Sequence, residues 1–367
     1  MKNKELEPFE TGPIRPPSEA GSYLIRLTRG CPWNRCTFCR TYKRRPFSIR
    51  EVDEVIADID KMAEIRDELL EGKTLAGTEG AWMVANAMRS GGKTAFLQDG
   101  DSLAMKPDKV RAILSHLKKR FPEVERITTY ARSRTMANRS VEDLKSYLEL
   151  GLNRIHIGME TGHDPLLEVI KKGVTGEVHV KGGRRVVEAG IELSEYIMPG
   201  LGGRTMTEGH AADSADVLNR INPNFIRLRT ICLGPKLLLW DEFESGRLVR
   251  MTDVEIVREI KRFIEALTVK GTRLVSDHIL NLLGDLEGNL PEEKEALLSI
   301  VDEFLGLDEE TQHLFQVARR SGVLNSLADL ERGSVARRAR ALLDDVYKRY
   351  GKDGVDAATR EMMERFV

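Results

Sequence analysis

The feature that most constrains this chain is an alternation of short β-rich apolar runs with amphipathic helical stretches, repeated six times. "SYLIRLT" (22–28), "KTAFLQDGD" (93–101), "RITTYARS" (126–133), "NRIHIGMETG" (153–162), "IELSEYIMPGLGG" (191–203) and "NFIRLRTICLG" (224–234) each read as a strand followed by a helix, and "TRLVSDHIL" (272–280) as one further strand. Punctuation supports the division. Pro107 stands in the first turn of a helix, Ser140 with Asp143 resembles a capping box, and Gly151 is a stop. Such alternation predicts parallel strands with crossover helices, in a barrel or a doubly wound sheet. Every strand exit is polar or glycine-rich, and in a parallel barrel those exits gather on the face where active sites sit. The predicted organisation is an N-terminal arm (1–20), a partial or complete parallel (β/α) barrel (21–282), and a region of helices only (283–367). "GTEGAWMVANAMRSGGK" (77–93) reads as a helical insertion before the second strand.

The chain has 367 residues, 41% apolar and 31% charged, which suits a soluble globular protein. No apolar run is long enough to cross a bilayer, and the first residues lack the apolar stretch of a secretory signal, so a cytoplasmic location is expected. A net charge of −1 gives no general attraction to nucleic acid or anionic lipid. Against that background the cysteines stand out. Of only four, three fall in "RGCPWNRCTFC": Cys31, Cys36 and Cys39. A disulfide would leave one thiol odd and suits a reducing compartment poorly. Structural zinc needs four ligands, and only Cys232 is left to complete the set. Three thiolates on a four-iron cluster leave one iron open to bind a small molecule, which is what a catalytic cluster requires.

With the cysteines directly after the first strand and Phe38 before the third of them, the chain resembles the radical S-adenosylmethionine (radical SAM) superfamily, closest in wording to the branch of oxygen-independent coproporphyrinogen oxidases and elongator-type enzymes. The resemblance covers about 21–235 and implies a [4Fe-4S] cluster held by Cys31, Cys36 and Cys39, with SAM as cosubstrate. It further implies that Phe38 packs against adenine, and that Asp99 and Asp101 of "QDGDSL" receive the methionyl amino group. Arg132, Ser133 or Arg134 would hold the carboxylate, Glu160 of "METG" the ribose, and Gly200 of "MPGLGG" would let the backbone approach adenine. The reaction implied is reductive cleavage of SAM to a 5′-deoxyadenosyl radical, which abstracts hydrogen from a small molecule or modified residue. An electron donor such as flavodoxin or ferredoxin is implied with it. The spacing departs from the commonest family pattern by one extra residue between the first two cysteines, and no plain Gly-Gly-Glu follows the second strand. Without an RNA-binding module, nucleic acid is not an expected partner. A non-catalytic relative binding cluster, SAM or tetrapyrrole as a chaperone or sensor is the rival reading, and RNA modification is a subordinate alternative.

Outside that pattern, Cys232 ends the sixth strand, where it would donate hydrogen, hold substrate or simply fill space. His278 of "SDHILN" offers an acid or base, or a structural imidazole. Arg26, Arg227 and Arg229 lie inside strands, where a charge needs a partner. The C-terminal helices are expected to close the barrel, with "LFQVARR" (314–320) reaching inward.

Overall fold

The computed structural model describes residues 8–73 and 77–365; the first seven residues of the predicted arm lie outside the described ones. The central sheet has eight strands: β1 (Tyr23–Arg26), β2 (Thr94–Gln98), β3 (Arg126–Ala131), β4 (Leu152–Glu160), β5 (Glu192–Ile197), β6 (Phe225–Leu228), β7 (Thr272–Val275) and β8 (Gly288–Leu290). Their order in the sheet is their order in the chain. β1 to β4 pair parallel, as do β6 and β7, while β8 runs antiparallel to β7. A separate two-strand ribbon joins Thr28–Arg29 to Ser48–Ile49 on either side of the cysteine loop.

All seven predicted strands are present, the first six each with a following helix, so the architecture is the mostly parallel α/β class that the alternation predicts. Two readings need correction. The region beyond 282 is not purely helical, because β8 lies there; three residues with glycine and asparagine show no alternation, and their pairing with β7 is a tertiary event. The sequence after the cysteine loop reads as a helix from about Ile49 to Leu70, but the helix begins at Val52, because Ile49 belongs to the ribbon. The inserted helix is Glu79–Arg89, capped by Thr78. Ser140 caps its helix as predicted, accepting from the Asp143 amide at 3.0 Å, and Gly151 takes φ +95° to end it.

Two compact units divide the chain. The first comprises residues 1–35, 41–158 and 181–194, the second residues 36–40, 159–180 and 195–367. The first is built on β1 to β3 and most of β4, with helix α1 (Val52–Leu70) burying Val55, Ile59, Met62 and Ala63. The second holds a core of Leu166, Leu167, Ile170, Met198, Leu201 and Ile231, against which Phe38 packs. Its C-terminal helices include α2 (Glu309–Arg320) and α3 (Val355–Glu364).

Candidate active site

In the first unit, strand exits are fastened to the front of the cysteine loop. Asp99 follows β2 with φ +80° and is fully buried. One carboxylate oxygen takes Arg26 Nε at 2.6 Å, and the other takes the Tyr42 hydroxyl at 2.7 Å. Burial, then Asp99, pushes the Tyr42 phenol far above its usual range, so it serves as a donor. The loop between is braced by Asn34, whose side-chain amide donates to the Tyr42 carbonyl at 2.7 Å, and by Lys43, which reaches the Asn34 carbonyl at 2.8 Å. Gly100 lets the β2 exit close on this loop: a Cβ there would lie 3.2 Å from Cys31 Cβ and 3.2 Å from the Tyr42 ring.

Asp101 is the second buried acid. It accepts from the Arg132 amide at 3.3 Å and from Thr135 Oγ1 at 2.5 Å, and burial raises its carboxyl to about 6. Arg132 in turn sets its guanidinium 5.4 Å from the Trp33 ring centre, with Arg35 on the same indole at 5.1 Å. Ser133 is buried at the start of a six-residue helix and Arg134 is exposed. The exits of β2 and β3 and the Cys31 end of the loop are therefore gathered, as the strand-end pattern predicts. The two acids expected to face a ligand amine both accept hydrogen bonds from within the protein.

The second unit carries the other end of the loop. The Thr37 amide donates to the Ile170 carbonyl at 2.9 Å, and the Thr37 carbonyl accepts from Leu239 at 3.0 Å. Phe38 is thereby held near the β4 exit. Glu160 ends β4 at φ +67° with its carbonyl taken by the Met198 amide at 3.0 Å. Its carboxylate receives Lys172 Nζ at 3.0 Å, and the same ammonium lies 5.5 Å from the Phe38 ring centre. Glu195 on β5 is fully buried, and neither carboxylate oxygen has a hydrogen-bond partner. Burial raises this carboxyl well above its ordinary value, opposed by Lys172 and reinforced by Glu160. Sequence reasoning missed both Lys172 and Glu195.

The Gly200 amide donates to Glu259 at 2.7 Å, and at its φ of +82° an added Cβ would lie 3.0 Å from Ile256. Gly200 lines a cavity of about 370 Å³ with Cys232, Arg250, Asp253, Asp356 and Arg360, the last two from α3. Burial pushes the Cys232 thiol up, so it stays protonated. His278 is half-buried and accepts the Leu280 amide at Nδ1; burial, then Arg229, pulls its imidazole down to about 4, so it is neutral at pH 7. Arg26 and Arg227 meet the acids their strand positions require, Asp99 and Asp277. "LFQVARR" is buried throughout, with Arg320 bonded to Asp253 and to the Leu280 carbonyl, both at 2.6 Å.

The donor set of the loop suits a cluster: Cys31, Cys36 and Cys39 are partly exposed and none is in a disulfide. Among the described residues, no three His, Cys, Asp or Glu side chains are grouped around a single metal ion. A cubane does not ask for that, because each thiolate binds a different iron. No helix of the described residues is long and apolar enough to cross a membrane.

This is a mostly parallel α/β fold with three cysteines in the loop after its first strand. The profile of the radical SAM superfamily matches residues 25–215, over half the chain, and the chain belongs to that superfamily, whose members use a [4Fe-4S] cluster and S-adenosylmethionine. A tRNA-2-methylthio-N(6)-dimethylallyladenosine synthase of Hahella chejuensis is 28% identical over 223 residues, 59% of this chain and 44% of that one. The heme chaperone HemW of Bacillus subtilis is 25% identical over 162 residues, 42% and 41% of the two chains. The chain thus spans less than half the length of these relatives. Among solved structures, the radical SAM methyltransferase TsrM of Kitasatospora setae gives a TM-score of 0.45 at 16% identity, covering 61% of this chain and 39% of that one.

Proposed function

We propose that this chain is a radical SAM enzyme that holds its cluster through Cys31, Cys36 and Cys39 and abstracts hydrogen from a small-molecule or modified-residue substrate. The observation that carries this reading is the convergence on the cysteine loop: Gly100 and Tyr42 pack at Cys31, and Arg132 stacks on Trp33. When bound, the cluster supplies the electron that splits SAM into methionine and a 5′-deoxyadenosyl radical. The protein's part is to orient and to exclude water. Glu160 binds the ribose diol and Phe38 packs on adenine. Arg132, Ser133 and Arg134 lie at the β3 exit to receive the carboxylate. Asp99 and Asp101 shape the amine-binding loop rather than both facing the ligand, since Arg26, Tyr42 and Thr135 already occupy them.

Substrate is assigned to the cavity beside Cys232, covered by α3. Because its thiol stays protonated, Cys232 is suited to give a hydrogen atom rather than to attack as a thiolate. Neutral His278, whose protonation burial and Arg229 oppose, is suited to accept a hydrogen bond rather than a proton. The segment beyond 282 closes this side, an electron donor of the flavodoxin or ferredoxin kind supplies the electron, and the compartment is cytoplasmic. Anaerobic reconstitution tests the metal reading. About four irons per chain are expected for a cubane, with loss of the charge-transfer absorbance on replacing any one of the three cysteines. Full iron content in those variants would overturn it.

A further inference from the structure

Lys172 stands where a nucleoside would have to sit. Its ammonium is bonded to Glu160 and lies over Phe38, the two groups assigned above to ribose and adenine. The ammonium holds Oε1 and covers the Phe38 ring, so a nucleoside that packs adenine on that ring and takes both Glu160 oxygens requires Lys172 to leave. An ammonium in a half-buried site needs another acid. The second unit offers one whose oxygens have no hydrogen-bond partner: Glu195, fully buried, with Lys172 and Glu160 as the charges that act on it.

We propose that Lys172 is a displaceable plug of the nucleoside site and that Glu195 is its second seat. In the ligand-free chain Lys172 neutralises Glu160 and Glu195 keeps its proton, which avoids a buried unpaired anion. When the ribose hydroxyls donate to Glu160, Lys172 turns to Glu195. The Glu195 proton passes to solvent, and the ammonium–carboxylate pair takes its place. The long, rotatable lysine stem makes this a side-chain movement. Charge balances: one ion pair before and one after, a diol-bound carboxylate gained, and one proton released per nucleoside. Glu195 is thus a positioning residue acting through Lys172, and the inference rests on the Glu160 reading.

The test is calorimetric titration of the reconstituted protein with 5′-deoxyadenosine, which carries the diol but no amino group to titrate, in buffers of different ionisation heat. Wild type is expected to release about one proton per nucleoside, with an association constant rising up to about tenfold per pH unit while Glu195 is protonated. Glu195→Gln should release none and show a flat profile. Lys172→Met, which removes the plug, should bind more tightly and also release none, so it serves if the first variant fails to fold. Proton-silent binding by wild type, with Glu160→Gln weakened at least tenfold, would overturn the second seat while leaving the ribose reading intact. Equal binding by wild type and Glu160→Gln would instead sink the ribose reading, and the proposal with it.

Discussion

Replacing Asp99 with alanine is expected to loosen the cysteine loop as a matter of folding, not of ligand contact. The carboxylate is fully buried and spans Arg26 and Tyr42, so its loss strands a guanidinium 13% exposed and a buried phenol. Stripping one partner from a buried ion pair costs about 3–5 kcal/mol, and an unsatisfied hydroxyl about 1–3 kcal/mol. Glu10 still accepts from Arg26 Nη1 at 2.9 Å, so the sum is discounted. The φ of +80° adds about 1 kcal/mol against alanine. A loss of about 4 kcal/mol follows, a large share of the 5–15 kcal/mol of a typical domain. Asparagine tolerates that φ and still accepts from Tyr42, so Asp99→Asn should lose only about 1–2 kcal/mol, much as a single charge-assisted hydrogen bond. Urea unfolding of the cluster-free protein reads both, and iron content after reconstitution should fall in the same order. If Asp99→Ala kept wild-type stability and iron content yet bound SAM tenfold more weakly, Asp99 would be the amine's acceptor and the reasoning would be wrong.

Asp101 should give a pH signature. Its folded carboxyl, at about 6, lies above the ordinary value of 3.8, so the native state holds the proton more tightly. Its contribution to stability is present below about pH 4 and is lost as pH rises to about 6, up to about 3 kcal/mol; Asp101→Asn should flatten that slope in denaturation series from pH 4 to 7. Arg320→Met leaves Asp253, 6% exposed, without its ion-pair partner and should cost about 3–5 kcal/mol, whereas Arg349→Met, on a surface pair, should cost under about 0.5 kcal/mol; equal losses by urea midpoint would refute the distinction. Gly100→Ala, forced against Cys31 and Tyr42, should lower iron incorporation while far-UV circular dichroism stays unchanged.

Much of this was legible because it is local. Each strand is a contiguous apolar run closed by glycine or polar residues, and the three cysteines stand out by their spacing. What was not legible depends on distant partners. Asp99 reads as a free acid until Arg26, 73 residues earlier, is seen to hold it. Lys172, in "KKG" after a short helix, reads as an ordinary cation at a helix end. Glu195 in "ELSEYI" breaks strict alternation, so its burial is set by the fold rather than by its own segment. Gly200 is a further case: its glycine-rich wording suggests ligand approach, but nothing in its own segment shows that its amide is held by Glu259, 59 residues later. β8 is three residues long, too short for any period to show.

The most direct measurement is of 5′-deoxyadenosine formed when the anaerobically reconstituted, chemically reduced chain is given SAM. The account predicts 5′-deoxyadenosine and methionine in equal amounts from wild type and none when Cys36 is replaced by alanine. A fully loaded cluster that binds SAM but yields neither product would contradict it, and would point to a binding relative that has kept the fold without the reaction.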